Sequence, residues 1–126
     1  MRERPWLCFV LAMMRDLDRR VFETDADRMA FDALPSRITI YRGTVQAERP
    51  KWGISWTLDR DHAIWFATTH GRFRNTQSPP IILQSEIHKL DATGFLTDHN
   101  EAEILVTPDV FRVRRRPRAF VSETPL

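Results

Sequence analysis

Three groups of polar residues fall where strands are expected to end: Arg42, the hydroxyl pair Ser55 and Thr57, and the carboxylate pair Glu101 and Glu103. Arg42 closes the otherwise apolar parity of ITIYRG (38–43), beside Ile38 and Ile40. A planar guanidinium in that position suits a phosphate, which it can grip through two parallel N–H donors. The plainer alternative is a structural arginine–glutamate pair inside the sheet. Ser55 and Thr57 share one face of GISWT (53–57), opposite Ile54 and Trp56, and strand hydroxyls are commonly half-buried filler. In EAEILV (101–106) both glutamates share a face with Leu105, opposite Ala102, Ile104 and Val106. Adjacent carboxylates repel and are poor strand formers. As structure they serve best as edge charges that discourage aggregation; otherwise they are candidates for chemistry.

The elements that must position these residues follow from periodicity. Trp6, Phe9, Val10, Met13, Met14 and Leu17 recur at three- and four-residue steps, which predicts a helix over 6–20. Thr24 is an N-cap for a second helix, with Asp27 placed to close a capping box and Pro35 to stop it. After residue 35 the period changes from 3.6 to 2. Strands are expected at 38–43, 53–57, 81–88 and 101–106, with a last one near Val110–Arg114 after the Pro108–Asp109 turn. Asp59 caps a helix over 61–70 that stops at Gly71, and 72–80 and 91–100 read as loops. Helices first and strands afterwards imply an α+β fold. At 126 residues the chain fits one domain, helical over 1–35 and β-rich over 38–114.

Composition narrows the setting. With 42% apolar and 29% charged residues the chain reads as soluble and globular. Cys8 is the only cysteine, which excludes an intrachain disulfide and fits a reducing, cytoplasmic location. The apolar run 6–14 follows Arg2 and Arg4 but has no small-residue cleavage site and is too short to span a bilayer. It reads as a buried helix with Cys8 as a small buried hydrophobe, and no membrane partner is expected. Net charge is only +2, and Lys51 and Lys89 are the only lysines. The dense basic run RVRRRPR (112–118) reads as a solvated strand end or loop, since a nucleic-acid face would normally dominate the total charge. His62, His70, His88 and His99 show no metal-ligand spacing, so no metal is expected.

YRG at 41–43, SWT at 55–57 and EAE at 101–103, in this order and each at a strand edge, resemble the arginine–serine–glutamate (R-S-E) class of ADP-ribosyltransferases. The strand-to-helix stretch SWTLDRDHAIWFA (55–67) is similar to the family's as well, and the resemblance covers roughly 38–114. It implies an ADP-ribosyltransferase-like fold, with short N-terminal helices packed on a mostly antiparallel split β-sheet core. It implies NAD as co-substrate and mono-ADP-ribosylation of a macromolecular acceptor with nicotinamide release. Breaking the nicotinamide–ribose bond builds positive charge on an oxocarbenium-like ribose, which a carboxylate beside it stabilises. By the match Glu103 takes that role, and Glu101 positions or deprotonates the acceptor. Arg42 holds the diphosphate and nearby ribose. Gly43, lacking a Cβ, lets the nicotinamide amide approach its backbone. Ser55 bonds near the nicotinamide ribose and orients Glu103, with Thr57 supporting it from behind.

Two loops complete the expectation. Phe73 either packs as an ordinary loop aromatic or stacks on nicotinamide, with Arg72 and Arg74 within reach of phosphate; Phe95, taken as an exposed aromatic, is the candidate for acceptor contact. The Glu-x-Glu form in family members often goes with arginine acceptors, and nucleic-acid acceptors are known in the broader fold. The helical part is short for the family, so the wall over the adenine end of NAD is thin or supplied by a partner protein. Two other readings stand beside this one: an NAD glycohydrolase on the same residues, and a non-catalytic binding protein that keeps the fold.

Overall fold

The computed structural model describes residues 5–45, 53–69, 77–97, 102–113 and 117–121. Helix α1 spans Pro5–Asp16 and ends earlier than its periodicity predicts. Asp18 adopts a left-handed conformation (φ 57°) while Asp18 N–H bonds to Arg15 O and Arg19 N–H to Met14 O. That is the double bond of a Schellman stop, with aspartate where glycine is usual. Helix α2, Asp25–Ala33, begins as expected: the Thr24 hydroxyl accepts from the Asp27 N–H at 3.1 Å. The Asp27 carboxylate, itself buried, accepts from the Thr97 hydroxyl and ties this helix to the chain beyond Leu96. Lys89 closes the other end of α2, donating to the carbonyls of Asp32 (2.8 Å) and Leu34 (2.9 Å).

Among the described residues seven strands follow the order β1-β5-β6-β3-β2-β4-β7. They are β1 Val21–Phe22, β2 Arg37–Val45, β3 Ser55–Thr57, β4 Pro80–His88, β5 Gly94–Leu96, β6 Glu103–Leu105 and β7 Arg118–Val121. Only β1 with β5 is parallel; every other neighbouring pair is antiparallel. The chain is therefore α+β with a mostly antiparallel sheet. One ladder joins all seven strands, yet β2 and β3 share the single register pair Tyr41–Thr57, so the sheet is nearly parted at its centre.

Each face of the sheet has its own cover. Ile38 and Ile40 of β2, Leu83 and Ile87 of β4, Trp56 and Ile104 point into the main core, closed by Phe31 of α2. The opposite face carries helix α3, Arg60–Thr68, whose Ala63, Ile64 and Ala67 pack on Ile82 and Tyr41. Alternation along β2 assigns its residues to the two faces as the sequence predicts. Asp59 caps α3 as expected, its carboxylate accepting from the Asp61 N–H at 2.9 Å.

Three expectations are corrected. The stretch 91–100, read as loop, contains β5, because Gly94–Leu96 is drawn into the gap between β1 and β6. The strand expected at Val110–Arg114 is instead helix α4, Asp109–Val113. Thr107 and Pro108 open it, with Val110 N–H bonded to Thr107 O and Phe111 N–H to Pro108 O, and its turn drives Phe111 into the core. The last strand lies further on, as β7 on the edge of β4. Finally, α1 is not a buried helix: Phe9 is 70% exposed and Trp6 59%, Leu11 is the one of its large apolar residues that is buried, and Cys8 is half-buried.

What secures α1 is polar. Arg15 donates to Thr107 Oγ1 (3.1 Å) and to Asp109 (2.8 Å) at the start of α4. Partial burial disfavours both charges, but the hydrogen bond and attraction between them win: the Arg15 guanidinium is held above its ordinary pKa and the Asp109 carboxyl below its own. Because the folded-state pKa of Asp109 is the lower one, the pair's stabilisation is present at neutral pH. It is lost as pH falls through that lowered value. Asp109→Asn is expected to cost about 0.5–1 kcal/mol at pH 7, kept small by solvent screening of the part-exposed carboxylate. Urea midpoints at pH 7 and at acid pH should show the wild-type advantage in the first and its absence in the second.

Candidate functional site

The site forms where β2 and β3 separate. Beyond the Tyr41–Thr57 pair the described residues show no further pairing of β2 with β3, and the Arg42 guanidinium lies against residues 53–55. Its Nη1 donates to the Ser55 carbonyl at 2.8 Å. By alternation Arg42 has the parity of Ile38 and Ile40, whereas Ser55 has that of Thr57. The long arginine stem nevertheless brings the guanidinium to the Ser55 backbone carbonyl, a group of the strand itself rather than of either face.

On the far side of β3 the register pairs Thr57 with Glu103 and Ser55 with Leu105. Directly paired residues share a face, which places Ser55, Thr57 and Glu103 together. The exposed Ser55 hydroxyl donates to Glu103 Oε2. The Thr57 hydroxyl is turned the other way, accepting from the Asp59 N–H at 3.0 Å. Thr57 is buried and secures the turn from β3 into α3. Arg42, Ser55 and Glu103 are thus linked through one residue: a guanidinium on the serine carbonyl and a carboxylate on its hydroxyl. Such a group offers a carbonyl-anchored cation suited to a phosphate and a hydroxyl-oriented anion suited to a developing positive charge.

Gly43 has a different physical basis from the expected one. An added Cβ would lie 2.0 Å from the Ala63 carbonyl oxygen, so its missing side chain accommodates the backbone of α3. Phe95 is corrected outright. It is 3% exposed, in register with Ile104, and its ring lies 6.2 Å from that of Phe31. As the inward residue of β5 it belongs to the core and cannot meet an acceptor. Glu101, Phe73, Arg72 and Arg74 lie outside the described residues, as do His70 and His99 and part of the basic run; Arg112 and Arg118 from that run are exposed.

Two residues beside the site carry no chemical signal in the sequence. Gly53 lies against the Arg42 guanidinium: a Cβ there would come within 2.2 Å of Cζ. Trp56, fully buried, donates from Nε1 to the Gly53 carbonyl at 2.9 Å, and its ring packs 5.0 Å from that of Phe111. The only hint in the sequence is a glycine just ahead of a strand that carries a tryptophan.

Among the described residues no group of three or more histidines, cysteines or carboxylates gathers to hold a metal ion. No helix among them is long and apolar enough to cross a membrane. Comparison with protein-family models, with curated proteins and with solved structures finds no match for the chain.

Proposed function

We propose that the chain is an NAD-dependent mono-ADP-ribosyltransferase of the R-S-E kind, with the ADP-ribosyltransferase-like form of the α+β fold. The observation that carries this reading is the linkage of Arg42, Ser55 and Glu103, from three different strands, at one opening in the sheet. Arg42 holds the diphosphate of NAD. Ser55 keeps the Glu103 carboxylate turned toward the nicotinamide ribose. As the bond from ribose C1′ to the nicotinamide nitrogen breaks, its electron pair leaves with nicotinamide and Glu103 stabilises the cation left on the ribose. The acceptor nucleophile then bonds to C1′ and gives up its proton, for which Glu101 is the base assigned by the motif.

The acceptor is a macromolecule, a protein arginine or a nucleic acid. The test is nicotinamide release by the purified chain, with and without a cell extract as acceptor source. Release that the extract accelerates, with label from NAD appearing on a macromolecule, is the expected result. Release indifferent to extract makes water the acceptor and the protein a glycohydrolase. Neither release nor NAD binding, with extract present, would overturn the enzymatic reading in favour of a binding protein.

A further inference from the structure

We infer that Gly53 and Trp56 are positioning residues for Arg42, together setting the direction in which its guanidinium is presented. The inference takes from the reading above that Arg42 is the group that meets the donor's diphosphate; the clamp itself rests on geometry alone. An arginine side chain has many rotamers, and holding one costs conformational entropy unless its surroundings exclude the others. Three features do so here. The Ser55 carbonyl accepts from Nη1 at 2.8 Å. Gly53 lies so close to the guanidinium that an added Cβ would stand 2.2 Å from Cζ, 2.3 Å from Nη2 and 2.6 Å from Nη1. Gly53 is itself held, because the buried Trp56 indole donates to its carbonyl at 2.9 Å. The neighbouring Ile54 carbonyl accepts from the Val106 N–H at 2.9 Å, which fixes the same turn to the chain beyond β6.

The two glycines of this region therefore respond differently to a methyl group. At Gly43 the obstacle is helix backbone, which cannot move cheaply. At Gly53 it is the tip of a flexible side chain, which can swing away and leave the fold intact. Gly53→Ala thus displaces Arg42 without removing it, and the first interaction to be lost is the bond to the Ser55 carbonyl. Trp56→Phe keeps a ring in the core and removes the donor that holds Gly53.

Protein labelled with ¹⁵N-arginine tests this without relying on activity. A guanidinium held by a carbonyl rotates slowly about its Nε–Cζ bond and shows resolved Nη–H signals, assigned to Arg42 by their absence in Arg42→Lys. These signals are expected in the wild type, lost in Gly53→Ala and broadened in Trp56→Phe, with thermal unfolding of Gly53→Ala close to wild type. Should Gly53→Ala fold poorly, Trp56→Phe decides by the same signals. NAD titration then reads the consequence: affinity falls roughly 10- to 100-fold in Gly53→Ala, the worth of a well-aimed charged hydrogen bond. In an Arg42→Ala background the same substitution has no further effect. Unchanged Arg42 signals in the Gly53 and Trp56 variants, or an equal loss of affinity with and without Arg42, would overturn the inference. If the wild type binds no NAD, the functional reading falls, while the arginine signals still decide the clamp.

Discussion

Glu103→Gln is expected to slow nicotinamide release about 100- to 1000-fold, the usual worth of one well-placed electrostatic group, while NAD affinity and thermal stability stay near wild type. Glutamine keeps the size and the hydrogen-bonding oxygen of glutamate, so the Ser55 hydroxyl retains an acceptor. Only the negative charge is removed. A cation on the ribose exists in the transition state and not in bound NAD, so the loss falls on kcat rather than on binding. Glu103 is half-buried at the sheet surface rather than in the core, and the change is small in volume. Nicotinamide chromatography paired with calorimetric NAD titration makes the measurement. A variant that keeps more than a tenth of the wild-type rate would remove Glu103 from the mechanism.

Gly43→Ala is expected to give the largest loss of stability of any single methyl addition near the site, about 3 kcal/mol or more. Overpacking a core with one added carbon commonly costs about 1–3 kcal/mol when side chains can give way. Here the new atom would stand 2.0 Å from the Ala63 carbonyl oxygen and 3.0 Å from the Ala67 nitrogen, both backbone atoms of α3. The helix must move off β2 as a body, opening the contacts of Ala63, Ile64 and Ala67 with Ile82. Urea unfolding compares the variants directly: a steep fall in midpoint for Gly43→Ala and a small one for Gly53→Ala. Equal midpoints for Gly43→Ala and wild type would show that α3 yields more easily than its packing implies.

What the sequence discloses is what is local. Thr24 and Asp59 are legible as caps because a short acceptor side chain at a fixed offset from a backbone N–H needs nothing from the rest of the molecule. The alternation of β2 and β4 is legible because each has one face on the main core and the other under or beside α3. Segments of three to five residues are not legible in this way. Gly94–Leu96 has no strand signature of its own and becomes one by filling a place between β1 and β6. Phe111 and Val113, alternating with Arg112 and Arg114, imitate a strand, while Thr107 and Pro108 are the better guide to a helix start. The exposed stripe of α1 has a strong helical period, and period alone does not say whether a partner covers it. At the site, Ser55 and Glu103 were recognisable by type and spacing. The part played by Gly53 was not, since it depends on a side chain arriving through space from another strand.

The near-parting of the sheet at Tyr41–Thr57 bears on how this protein would respond to laboratory evolution. Across most of the sheet, backbone hydrogen bonds fix one strand relative to the next, and these are indifferent to which side chains are present. Between the strand that carries Arg42 and the half that carries Glu103, that indifferent scaffold is reduced to one pair. The spacing of the two groups therefore leans on how Ile40, Trp56 and Ile104, carried by the three strands concerned, pack together in the core, and such packing changes with every methylene. Selection acting on whatever this opening holds would accordingly draw its gains from interior residues that line no site, with hydrophobic exchanges in the core adjusting the spacing of Arg42 and Glu103.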